Sequence, residues 1–142
     1  MQHGFSLIEL IVVMAIVGIV GAIAVPRFSQ ATSRQQLNSA ADRVMADLEL
    51  ASTRARAASQ PVTVRFRTGN DNYTFNNVGG DAMVVELDES PYGVQVKNAK
   101  FGTNKTASFN GFGVPDDSGF VTLSLGSDEV TIYLEASGEV RR

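Results

Sequence analysis

The sequence predicts an α+β fold, in which one long N-terminal helix packs on antiparallel β-sheet. Three observations predict it. No charged residue occurs from Leu10 to Val25. From Arg27 to about Ser59, apolar residues recur every three or four positions. After Pro61 they alternate at every second position, and Gly, Asn, Asp and Pro punctuate the gaps.

The first element is the run from Phe5 to Val25, FSLIELIVVMAIVGIVGAIAV. As a helix it spans roughly 31 Å, about the hydrocarbon thickness of a bilayer. It is apolar on all sides, which favours a membrane span over a helix lying on a surface. A secretory signal peptide cut near Ala22-Ile23-Ala24 is one plainer reading, and a simple signal anchor is another. Glu9 argues against both. A carboxylate within an apolar span is costly and by default marks a function, unless it merely reaches the headgroups. Gly18, Gly21 and Pro26 form a second group. Proline removes a helical N–H and kinks the chain, while the glycines permit close helix approach. Ordinary membrane packing uses the same residues.

Beyond the apolar run the helix turns amphipathic. Leu37, Ala41, Val44, Leu48, Ala51, Ala55 and Ala58 form one stripe, fit to dock on a sheet. Arg34, Asp42, Arg43, Asp47, Glu49, Arg54 and Arg56 lie between them and read as a solvated face of mixed charge. Pro61 stops the helix, because the residue before a proline is pushed out of the helical region. Val62, Val64 and Phe66 then alternate with Thr63, Arg65 and Arg67, and a turn at 68–72 leads to Tyr73 and Phe75. This is a hairpin. Further strands are predicted at 82–87, 92–97, 106–109, 120–125, 130–134 and 139–141. Strands without helices between them imply antiparallel sheets.

Composition narrows the function. Net charge is −3, so the chain lacks the basic footprint of a nucleic-acid binder. With no cysteine there is no disulfide, thiolate metal site or thiol nucleophile. The single histidine, His3, lies in the N-terminal tail, so a His-based triad or His-rich zinc site is not available. Asp116-Asp117, Asp128-Glu129 and Asp71 are oxygen-rich and of a kind that suits calcium, but they also read as ordinary turns. No catalytic residues, cofactor site or metal ligands are assigned, and an enzyme tethered by a signal anchor is the weakest of the functional readings.

Gly4-Phe5-Ser6-Leu7-Ile8-Glu9, followed at once by the apolar run and Pro26, resembles the processing motif of type IV prepilins and type II secretion pseudopilins. The resemblance implies a leader at 1–4, cut after Gly4 by a prepilin peptidase, and N-methylation of the new terminus, Phe5. It implies a membrane helix at 5–26, an amphipathic continuation at 27–60 and a β domain at 61–142. Glu9 matches the family's assembly glutamate, which pairs with the terminal amine of a neighbouring subunit. The leader departs from the pattern in having no Lys or Arg. Arg27 and Arg34 beyond the span would by charge alone place the domain in the cytoplasm. The motif implies the reverse, a single-pass protein of the bacterial inner membrane with its domain on the periplasmic side.

The second half is similar to H-type pseudopilins and FimT-type minor pilins. Ala57-Ala58-Ser59-Gln60-Pro61-Val62-Thr63-Val64, Phe109-Asn110-Gly111-Phe112-Gly113 and Val130-Thr131-Ile132-Tyr133-Leu134 carry that similarity. It implies a pilin-like fold and a minor pseudopilin of a type II secretion pseudopilus. Its partners would be the prepilin peptidase, other pilin or pseudopilin subunits and an inner-membrane assembly platform. The alternative is a FimT-like minor pilin of pilus assembly or DNA uptake. That branch carries a terminal Gly-Arg-x-Arg pattern, and here the ending is Gly138-Glu139-Val140-Arg141-Arg142. Arg141 and Arg142 are the candidate DNA contacts, although an acid holds the first arginine position.

Overall fold

In a computed structural model, residues 6–76, 80 and 82–142 are described, with their side chains except those of 23–28. The chain divides into two compact units, Met1–Ser33 and Arg34–Arg142. One helix, α1 (Leu7–Ala58), supplies the described part of the first and opens the second. Its backbone stays helical through position 26, but the Pro26 side chain is among those not described, and the kink expected there lies outside the described residues. The helix ends where Ser59 takes a left-handed backbone (φ 53°), two residues before Pro61.

Eight strands follow: β1 (Val62–Arg67), β2 (Asn72–Asn76), β3 (Ala82–Glu86), β4 (Gln95–Phe101), β5 (Thr106–Phe109), β6 (Gly119–Leu125), β7 (Asp128–Leu134) and β8 (Val140–Arg141). They make two antiparallel sheets, ordered β3-β2-β1-β5 (sheet A) and β4-β6-β7-β8 (sheet B). The fold is thus α+β with a long N-terminal helix on antiparallel sheets, as the sequence predicts. The expected hairpin is present, with Val64 opposite Phe75 and Phe66 opposite Tyr73. The strand predicted at 92–97 instead runs from Gln95 to Phe101, with a bulge between Val96 and Asn98. The predicted 139–141 strand shortens to Val140–Arg141.

The core lies within the second unit. Leu37, Ala40, Ala41, Val44, Leu48, Ala51 and Ala55 of α1 are buried against Val64, Phe66, Phe75, Phe101, Leu123 and Ile132. Ala58, placed on the stripe by its spacing, is exposed. Small alanines let the helix backbone lie close to the sheets, and the phenylalanines fill the space. Phe66 of sheet A stacks on Phe101 of sheet B with centroids 5.7 Å apart.

The loop after β5 is fastened to α1. Ser52 Oγ donates to the Gly113 carbonyl at 2.7 Å, and Arg56 Nε donates to the Phe112 carbonyl at 3.2 Å. Gly113 has φ 74°, and a Cβ there would stand 2.6 Å from the Ser52 carbonyl oxygen. Only glycine meets both conditions.

Candidate functional site

The N-terminal end of α1 is built by Ser6 and Glu9. Ser6 precedes the first helical residue, and its Oγ accepts from the Glu9 N–H at 3.4 Å. Its carbonyl accepts from Glu9 N at 3.1 Å and Leu10 N at 3.2 Å. Serine at the cap and glutamate three residues on is the capping-box spacing, a helix-start signal that the sequence reading passed over. A first-turn carboxylate also complements the positive end of the helix dipole. Glu9 therefore starts the helix as well as carrying a charge on it.

Around that charge the surface is apolar. Leu7, Ile8, Leu10, Ile11, Met14, Val17, Ile19 and Val20 all stand exposed, Leu7 at 77% and Val20 at 59%. These positions go round the helix, and such a surface is stable only when lipid or other apolar helices cover it. Among the described residues no helix is long and apolar enough to cross a membrane. The described side chains of this run extend from Ser6 to Ala22, and the sequence run continues past them at both ends. Gly4 and Phe5, the processing positions, lie outside the described residues.

Within the second unit, the mixed-charge face of α1 hides a buried acid. Asp47 is 4% exposed, which corrects its reading as solvated. Its Oδ2 accepts from the Tyr73 hydroxyl at 2.5 Å and from Arg43 Nε at 3.0 Å. Burial first, then the bond to Asp47, holds the Tyr73 phenol well above its ordinary 10.0. The same carboxylate raises Arg43. Asp47 lies three residues after Val44 and four before Ala51, on the buried stripe, and that spacing was the signal available in the sequence.

The C-terminal arginines are both engaged. Arg141 donates to Glu135 Oε1 from Nε at 2.9 Å and from Nη2 at 2.5 Å. Arg142 Nη1 donates to Asp42 Oδ1 at 3.2 Å and Asn38 Oδ1 at 3.4 Å. Four acids of the turns are likewise used internally: Asp71 accepts from Val96 N, Asp116 from Ser108, Asp128 from Arg34, and Glu129 pairs with Lys97. Among the described residues, no group of three or more acids or histidines is placed to hold a metal ion.

An all-round apolar helix with a capped, acid-bearing start, continuing into a helix-on-sheet domain, defines a pilin-like subunit. Residues 1–25 match the prokaryotic N-terminal methylation motif, and residues 40–138 match the family described as type II transport protein GspH. The chain belongs to that GspH family within the type IV pilin-like proteins. A fimbrial protein of Pseudomonas aeruginosa is 49% identical over 45 residues, 32% of this chain and 29% of that protein. A type IV major pilin protein, PilE of Neisseria gonorrhoeae, is 50% identical over 40 residues, 28% of this chain and 24% of that protein. These matches span less than a third of the relatives' length. No solved structure matches significantly. The family is a structural one, of membrane-anchored proteins that assemble into filaments.

Proposed function

We propose that the chain is a minor, H-type pseudopilin of a type II secretion system. It is cut between Gly4 and Phe5, methylated on Phe5, and held in the inner membrane by its N-terminal helix with the domain on the periplasmic side. The observation that carries the reading is one acid, Glu9, in the first turn of a helix whose apolar residues are exposed on every side. In a filament, apolar neighbours cover that surface. The one carboxylate then needs a cation, and the nearest class of cation is the α-amino group that cleavage creates at Phe5. Pairing in trans would set the axial register of subunits, as single buried polar groups do in coiled coils. The platform and peptidase are the partners that this route requires.

Arg141 and Arg142 are the residues on which a DNA-uptake reading rests. Each is spent on an acid of this chain, so binding phosphate there would first require those pairs to open. This favours the secretion reading over the FimT-like one.

Two measurements test the proposal together. Mass analysis of the mature protein should give Phe5, methylated, as its first residue, and gene deletion should abolish secretion while leaving DNA uptake intact. A mature terminus near Val25, or loss of uptake with normal secretion, would refute it.

A further inference from the structure

Sheet A turns a second face away from the core. On β1 it carries Arg65 and Arg67, and on β2 it carries Asn72 and Thr74, while the alternate residues Val64, Phe66, Tyr73 and Phe75 are buried. Register places Arg65 opposite Thr74 and Arg67 opposite Asn72. The four side chains therefore form one patch across two strands.

The arginines are the part of this patch that a neighbour can reach, and the polar groups beside them lie beneath its surface. Arg65 and Arg67 are exposed, and neither forms an ion pair or side-chain hydrogen bond among the described residues. Beside them, Asn72 is 5% exposed and donates from Nδ2 to Glu86 Oε2 at 2.9 Å, while its buried Oδ1 has no hydrogen-bond partner among the described residues. The buried Thr74 hydroxyl likewise has none among the described residues. Native structures leave few such groups unpaired. Arg141 and Arg142, by contrast, are held by acids of this chain.

We infer that this face docks a carboxylate-bearing segment of a neighbouring filament subunit. Residues two apart on a strand stand about 6.6–6.8 Å apart. Arg65 and Arg67 thus offer two guanidinium groups on one face, and guanidinium pairs with carboxylates in bidentate fashion. Charge selects an acidic protein segment over a nucleic acid. The net charge of −3 repels a polyanion at long range, whereas one acidic segment feels mainly the local arginines. The inference rests on the filament reading above, since it needs a neighbouring subunit.

The test uses the full chain expressed in membranes with its assembly partners. Arg65→Glu with Arg67→Glu should leave processing and the circular-dichroism spectrum unchanged, because both side chains are exposed. Crosslinked intersubunit complexes should fall at least about tenfold. Arg65→Lys with Arg67→Lys should keep most of the complexes. In that variant a carbodiimide should join position 65 or 67 to an Asp or Glu of the neighbour. Undiminished complexes in the Glu variant, or no crosslink at either lysine, would overturn the proposal alone. Binding of a short DNA duplex that the Glu variant loses would reassign the face to nucleic acid. If the unmodified chain enters no complex at all, the filament reading fails as well.

Discussion

The Asp47 carboxylate joins helix to sheet by accepting from Tyr73 and Arg43. Removing the hydroxyl leaves the buried acid with one donor fewer, and hydrogen bonds to charged groups are worth about 1.5–3 kcal/mol. Tyr73→Phe should therefore lower unfolding stability by about that amount in denaturant titrations of the chain in detergent. The pH dependence has a definite sign. The folded-state phenol titrates above its ordinary 10.0, so its contribution is complete below pH 10. Above that, the unfolded tyrosine loses its proton first, and stability declines as pH rises. The difference between the unmodified chain and Tyr73→Phe should be flat from pH 7 to 9 and shrink above pH 10. A difference that stays constant to pH 11 would mean the phenol is not held by burial and Asp47. At the same scale Glu9 stands out in the sequence as a candidate, whereas Asp47 does so only through its spacing from Val44 and Ala51. An acid inside an apolar run has no ordinary explanation, whereas one among Arg43, Glu49 and Arg54 reads as surface.

At the level of elements, periodicity located the helix and most strands, because apolar spacing follows directly from helix and strand geometry. The strand β4 shows where it stops working. Its bulge between Val96 and Asn98 shifts the phase, so Ala99 and Phe101 are buried out of step with Val94 and Val96. Alternation cannot be followed across an extra residue. Sheet order was equally out of reach. The chain leaves sheet A after β3, makes β4 in sheet B, and returns to pair β5 with β1. Only contacts distant in sequence decide that path. The loop at Gly113 gives this scale its prediction. Gly113→Ala forces a left-handed backbone on alanine, costing about 1–2 kcal/mol, before its clash with the Ser52 carbonyl is counted. The variant should lose at least that much stability, with protease cutting first near residues 110–114. Unchanged stability would show that the loop moves freely off the helix.

For the whole molecule, the two units have separate demands. Residues 34–142 contain the buried core, whereas the described part of the helix before residue 34 leaves its apolar side chains uncovered. The first is satisfied within one chain, and the second only by lipid or by other chains. In the filament proposed above both are met, and Glu9 is the residue proposed to make that assembly specific. Glu9→Gln and Glu9→Ala leave the cleavage glycine untouched and keep the span apolar, so membrane insertion and mature-protein yield should be normal. If Glu9 neutralises a neighbour's terminal amine, each loses a buried partner worth about 3–5 kcal/mol. The measurement is incorporation of the processed variants into sheared filaments or crosslinked complexes, beside unmodified partners. Incorporation should collapse with both variants. Incorporation of Glu9→Ala at the level of the unmodified chain would contradict the pairing and leave Glu9 as a helix cap at a membrane surface.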